Sequence, residues 1–354
     1  MTDLFLKIKT HQEQNLPFVI FSKPNSERTV GLFQKNDHLY FLENFEKKGF
    51  VFAAFDSSTI PFIPLEFCDV LVESNNAETY FFEPKETETS TKIGNDFFEE
   101  LVAKSVNAIE NGLFKKVVAS RREIVDLKNF DLEICFKRML QNYPSAFKYC
   151  FFHPKIGLWM GATPEQLVKI KELAFETVAL AGTQKANDIE SVQWTSKEEV
   201  EQQLVTDYIL ENIEEFSKEL LVSSPFTANA GTIFHIKTTI SGILKNKKSV
   251  EKIIKALHPT SAVCGMPRKA AKDFIIQNEG YNREYYSGFL GELNIDMATF
   301  RTQYSDLFVN LRCMKIKDNK AEIFVGCGIT KDSIPKAEFE ETVNKAMTMK
   351  KCIL

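Results

Sequence analysis

The clearest hydrophobic period in the chain lies at 97–109. Phe97, Phe98, Leu101, Val102, Val106 and Ile109 recur at helical spacing, and Gly112 stands where a helix C-cap belongs. A second helix is predicted from a capping box, Ser196-Lys197-Glu198-Glu199, and runs through EEVEQQLVTDYILENIEEF. The chain closes on a third, PKAEFEETVNKAMTMKK, with Pro335 in its first turn. Phe339, Val343 and Met347 form the apolar stripe expected of that helix, and Glu338, Glu341 and Lys345 fall on another face.

Between these helices the pattern changes to strands. FKKVVASR (114–121) opens one that REIVDL continues, and TIFHIKTTISGIL reads as another. LFVNLRCMKIKDNKAEIFVGCGI reads as paired strands turning at Asp318-Asn319. Residues 1–85 are rich in phenylalanine and broken by polar turns such as NSERTV, which predicts short antiparallel strands. PKETETSTK (84–92) predicts a linker or exposed loop. Hairpins alternating with helices predict an α+β fold rather than a doubly wound parallel sheet.

One strand poses a chemical question. Side chains alternate across a strand, so Lys115 and Lys116 must point to opposite faces. One can be solvated; the other, Lys116, shares a face with Val118 and either lines a cleft or snorkels to water. Other stretches carry similar tension. In GATPEQL (161–167), Pro164 fixes its own φ and restricts Thr163, so Glu165 is delivered at a defined bend. In ALAGTQ (179–184), Gly182 lets a backbone approach a ligand closely. Glu201 shares a helical stripe with Leu204, Val205 and Tyr208, where a carboxylate needs a partner or an outlet to water. Taken singly, an exposed turn glutamate, a small-residue strand and a solvated helix face account for each.

Composition narrows the classes. The 354 residues carry a net charge of −4 with signs interspersed, which offers no footprint for nucleic acid or an anionic membrane. Seven scattered cysteines show no metal-ligand spacing and predict reduced, mostly buried thiols. MTDLFLKIKTHQEQ lacks the apolar segment of a signal peptide, and no apolar run approaches the ~18 residues of a membrane span. A soluble, cytoplasmic protein is expected. P-loop, GxGxxG, GxSxG and HExxH signatures are missing from the sequence.

Taken together and in order, KVVASR, GATPEQL, ALAGT, the E-x-x-LV helix, LHPTSAVCG, REYYSG, LRC and VGCGI…E-x-x-E-T resemble the chorismate-utilising enzymes. The likeness covers roughly residues 95–350. It implies one large domain spanning 1–354, with orthogonally packed antiparallel sheets flanked by helices, in which 1–93 is a variable β-rich part and 94–354 the motif-bearing core. Members attack C2 of chorismate with water or ammonia and lose the C4 hydroxyl. Similarity to isochorismate synthases makes Lys116 the base for water and Glu165 the acid for the departing hydroxyl. It makes Glu201 and Glu341 ligands of Mg²⁺, with Glu338 bridging behind them. Arg312 and Lys345 are expected on substrate carboxylates, Gly182, Thr183, Ala262 and Gly326 at backbone contacts, and His235 near the ring.

Departures sharpen the branch. Ammonia-using anthranilate synthases typically place glutamine where Lys116 stands, and aminodeoxychorismate synthases place lysine where Ala181 stands. Ser261 replaces the usual proline of LHPTPA, and Gln202 replaces a common histidine, which puts that histidine's role in doubt. The expectation is a Mg²⁺-dependent isochorismate synthase, monomeric and without a glutaminase subunit. Salicylate synthase, which goes on to eliminate pyruvate, is the alternative. A non-catalytic Mg²⁺ or anion-binding module would have no use for both Lys116 and Glu165.

Overall fold

A computed structural model describes residues 3–56, 58–75, 95–185, 188–230 and 233–354. Its strands form two large sheets, and among the described residues the strands within them pair antiparallel, as expected of α+β. The first sheet runs Gly265–Met266, Lys116–Asp126, Lys320–Ile329, Cys313–Lys317, Gly157–Thr163, Phe147–His153, Phe18–Ser22, Arg28–Gln34 and Cys68–Ser74. The second runs Ser217–Val222, Ile233–Leu244, Ala174–Lys185, Gln166–Lys171, Tyr304–Val309, Phe289–Leu293, Gly49–Ala53, Pro61–Pro64 and Tyr40–Phe41, with Phe226–Ala230 also on Ile233–Leu244. Strands from the first 75 residues thus complete both sheets.

The phenylalanines explain why the sheets face each other. Phe147, Tyr149 and Phe151 point to one side of their strand and meet Phe50, Phe52 and Phe308 of the other sheet. Rings stack at 4.3 Å for Phe52–Phe151 and 4.4 Å for Phe147–Phe308. Each fully buried ring contributes roughly 2–3 kcal/mol. The opposite face of the first sheet packs under helices α1 (Asp3–Glu13), α3 (Leu132–Asn142) and α7 (Pro335–Ile353). The outer face of the second sheet packs under α4 (Ser196–Ile213) and α5 (Ser249–Leu257). Helices α2 (Asn95–Glu110) and α6 (Arg268–Asn278) cover Lys116–Asp126. Among the described residues no helix is long and apolar enough to cross a membrane.

Two connections pass from one sheet to the other, side by side. Thr163-Pro164-Glu165 joins Gly157–Thr163 to Gln166–Lys171, and 310–312 joins Tyr304–Val309 to Cys313–Lys317. Thr163 Oγ1 donates to Val309 O at 2.6 Å, and Val309 N donates to Glu165 O at 2.9 Å. Arg312 turns the second crossing with a φ of 47°. The side chains at 165 and 312 therefore sit on a braced corner.

The edge of Lys116–Asp126 is closed by an ion pair. Its two-residue neighbour, Gly265–Met266, covers only Lys116 and Val117. Further along, Glu279 accepts from Ser120 N at 2.8 Å and Arg283 donates to Val118 O at 2.6 Å. The two side chains, each 2% exposed, also bond each other. They stand where a further strand would otherwise be needed to satisfy the backbone.

Several predicted details shift. The chain begins with a helix, not a strand: Leu4, Phe5, Ile8 and His11 are buried at helical spacing, a period masked by the phenylalanine-rich composition around it. The capping box lies one residue earlier. Glu198 accepts from both the N–H and the hydroxyl of Thr195, which leaves Ser196 as the first helical residue. Helix α4 buries Gln202, Val205 and Thr206, while Leu204 is exposed and Glu201 lies at the stripe's edge. Helix α7 buries Thr342, Ala346 and Met349; Phe339, Val343 and Met347 are only half-buried. Small residues face the sheet there because α7 packs directly on the Lys320–Ile329 strand. The predicted linker 84–92 lies outside the described residues. The predicted α2, its terminal Gly112, and the Asp318-Asn319 turn, with both φ near 50°, are as expected. All seven cysteines are free thiols, six of them buried.

Candidate active site

The two lysines of FKKVVASR diverge as alternation requires. Lys115 is exposed, whereas Lys116, 14% exposed at its side chain, reaches inward and bonds Glu201 Oε1 at 3.0 Å. Glu201 comes from the first half of α4, so the contact ties a helix on one sheet to a strand of the other. Lys116 lies across Gly328 of the neighbouring strand, where an added Cβ would stand 3.1 Å from its Cε.

Glu165 occupies the sheet-crossing corner. Thr260 Oγ1 donates to its Oε1 at 3.4 Å. Burial pushes its carboxyl up to about 7; the Thr260 hydrogen bond and the charges of Lys116 and Lys345 oppose that rise. Glu165 also lines a pocket of about 20 Å³ together with Leu180, Val205, Ile209 and Leu257, and with the polar Gln166, Asn212 and Thr260. Thr260 and Ala262 belong to a turn held to the lysine strand by Val118 N donating to Cys264 O at 2.9 Å.

Gly182 makes a bulge in its strand. The register with Ile233–Leu244 shifts between Ala181 and Gln184, and the glycine takes a φ of 70° that most side chains avoid. His235 stands opposite, its Nδ1 2.9 Å from Gly182 O, with its pKa lowered by burial. Thr183 lies on the same strand, but its side chain is outside the described residues. Lys345 bonds Glu341 at 2.6 Å and donates to Gly326 O at 3.0 Å. Glu338, one turn earlier, has its carboxyl raised by burial, and the charge of Glu341 adds to the rise. Arg312 donates to Thr348 Oγ1 at 3.2 Å; burial lowers its pKa, while the neighbouring Glu341 acts the other way.

Six of the predicted residues, Lys116, Glu165, His235, Arg312, Glu341 and Lys345, lie close enough for their charges to act on one another. The charges of Lys116 and Lys345 both reach Glu165, and those of Lys345, Arg312 and Glu341 reach His235. Among the described residues no three carboxylate, histidine or cysteine side chains form a ready metal cage. Glu201 and Glu341 hold lysines instead. The donor set still fits Mg²⁺. It is all oxygen, Glu338 and Glu341 repel each other in a way a cation would relieve, and Mg²⁺ commonly takes only one or two carboxylates plus water and substrate oxygens.

Sequence reasoning missed three contributors. Gly328 was visible only as the second glycine of VGCGI, and Thr260 only within LHPTSA. Arg283 was visible only as the first residue of REYYSG; its buried pair with Glu279, which braces the lysine strand, leaves no periodic trace. Gln202, where the family commonly has histidine, is 1% exposed and donates to Thr206 Oγ1 at 2.9 Å and Thr238 Oγ1 at 2.6 Å, anchoring α4 to the sheet.

Two facing antiparallel sheets thus gather a buried carboxyl at their shared corner with lysines, an arginine and glutamates near it. The family described as "Chorismate binding enzyme" matches residues 66–354, and the chain belongs to it. It is 30% identical over 72% of its length to the "Salicylate biosynthesis isochorismate synthase" of Pseudomonas aeruginosa. It is 27% identical over 81% of its length to "Anthranilate synthase component 1" of Lactococcus lactis. The matches span 54% and 63% of those relatives' own lengths. The structure of MenF, the menaquinone-specific isochorismate synthase of Escherichia coli, shares the fold with a TM-score of 0.78 at 21% identity, covering 96% of this chain and 89% of that one.

Proposed function

We propose that the protein is an isochorismate synthase that folds as one chorismate-binding domain over 1–354. The observation that carries this reading is a lysine and a buried carboxyl, raised to about 7, brought close together. Lys116, when neutral, takes a proton from the water that attacks C2 of chorismate. The ring double bonds shift, the C4–O bond breaks, and Glu165 gives its proton to the departing hydroxyl, which leaves as water. One water enters and one leaves; solvent returns the proton from Lys116 to Glu165. Burial suits Glu165 to this task, since an ordinary carboxylate would hold no proton at neutral pH.

Glu201 and Glu341 would hold Mg²⁺, with Glu338 beside them, and the bound ion would supply positive charge to a substrate carboxylate. Arg312 and Lys345 take the remaining anionic charge, Arg312 in a bidentate grip. Gly182, Thr183, Ala262 and Gly326 present backbone groups, and His235 lies against the ring. The protein is expected to work as a cytoplasmic monomer without a glutaminase subunit, feeding a quinone or siderophore route.

An NMR spectrum of the products from chorismate and Mg²⁺ tests this. Isochorismate is expected. Salicylate with pyruvate, an aminated ring, or no turnover would each reject it. Lys116→Ala should lower kcat by roughly 10²–10⁴-fold, whereas Lys115→Ala, on the solvent face, should cost little; equal activity in both variants would remove Lys116 from the mechanism.

A further inference from the structure

Lys116 has a defined resting place, set by its contact with Glu201 and by the bare backbone of Gly328 beneath it. Gly328 pairs with Val118 across the strands Lys116–Asp126 and Lys320–Ile329. Lys116 precedes Val118 by two residues, so Gly328 and Lys116 are diagonal neighbours on one face. A Cβ built on Gly328 would lie 3.1 Å from Lys116 Cε and 3.7 Å from its Nζ, with no other heavy atom within 4 Å. The lysine stem therefore lies directly on bare backbone, and its far end is held by Glu201 at 3.0 Å.

Gly328 differs from the glycine two residues before it. At Gly326 an added Cβ would meet Ala119 O at 2.7 Å and Tyr286 Oη at 2.9 Å, so a side chain there must disturb the fold. Gly328 opens toward solvent and its backbone has no left-handed φ, so the strand itself tolerates a side chain. What a side chain would displace is Lys116.

We propose that Gly328 is a positioning residue for Lys116: its lack of a side chain sets where the amine stands relative to Glu201 and the cleft. This rests on the proposed function for its kinetic consequence but not for its geometry. A misplacement of about 1 Å at a reacting group can cost on the order of 10²-fold in rate.

The test uses Gly328→Ala and Gly328→Val in the full chain. Crystal structures should show Lys116 Nζ drawn beyond about 3.5 Å from Glu201 in the valine variant, with the strand in place. kcat should fall roughly 10-fold for alanine and 100-fold for valine, with KM for chorismate within about 3-fold. In a Lys116→Ala background, neither substitution should lower kcat further, because coupled residues are not additive. An unmoved Lys116 in the Gly328→Val structure, unmodified kcat in both variants, or losses that multiply with Lys116→Ala would each overturn the assignment. If the unmodified protein made no isochorismate, the function would fall, while the crystallographic comparison would still decide this inference.

Discussion

A carboxyl pushed up to about 7 is half protonated at neutral pH, and Glu165 reaches that value through burial at a corner that backbone bonds hold in place. As the proposed acid it must carry its proton, so turnover should fall as pH rises through about 7. The hydrogen bond from Thr260 favours the ionised form, so Thr260→Val should move that fall to higher pH, and Thr260→Ser should restore it. The same shift predicts a stability effect of defined sign. The folded pKa lies above the ordinary value of 4.5, so the contribution is complete below pH 4.5 and is lost as pH rises through 7. Glu165→Gln should therefore match the unmodified protein near pH 4 and exceed it near pH 8, by on the order of 2 kcal/mol. A pH–rate profile that is identical in all three Thr260 forms, or a Gln variant less stable at pH 8, would contradict this account of the site.

At the scale of elements, the lysine strand depends on a substitute for a missing neighbour. Arg283 donates to Val118 O, to Val263 O and to Glu279, and thereby also holds the turn that carries Thr260 and Ala262. Removing one partner of a buried pair typically costs about 3–5 kcal/mol, because the other charge is left in a dry interior. Arg283→Met should lose that much in denaturant unfolding, and Arg283→Lys less; a loss under 1 kcal/mol for Met would mean that the pair does not seal this edge. Elements with strong periods were readable from the chain alone: α2 from its apolar spacing, the Lys320–Ile329 hairpin from its Asp-Asn turn. Helix α1 was not, since phenylalanines at 5, 18, 21 and 33 suit either a strand or a helix and only packing decides between them. The buried face of α7 was misread for a related reason. A helix pressed onto a strand selects small residues such as Thr342 and Ala346 over the larger Phe339 and Val343.

At the scale of the molecule, the α+β class followed from alternating hairpins and helices, but the assignment of strands to sheets did not. Nothing local in GATPEQL announces that the chain changes sheets at Pro164, yet that crossing is what aims Glu165 into the cleft. The candidate residues were legible mainly as an ordered set of motifs; Gly328 and Arg283 gained roles only once strands far apart in sequence were adjacent in space. In the proposed reaction, water admitted to C2 by Lys116 replaces the hydroxyl lost from C4. Product formed from chorismate and Mg²⁺ in ¹⁸O-labelled water measures this directly. The account predicts isochorismate with one labelled oxygen, placed at C2, and no incorporation of nitrogen when ammonium is present in excess. Unlabelled isochorismate would show intramolecular transfer of the hydroxyl, an aminated product would show ammonia as the nucleophile, and either result would contradict the role given to Lys116.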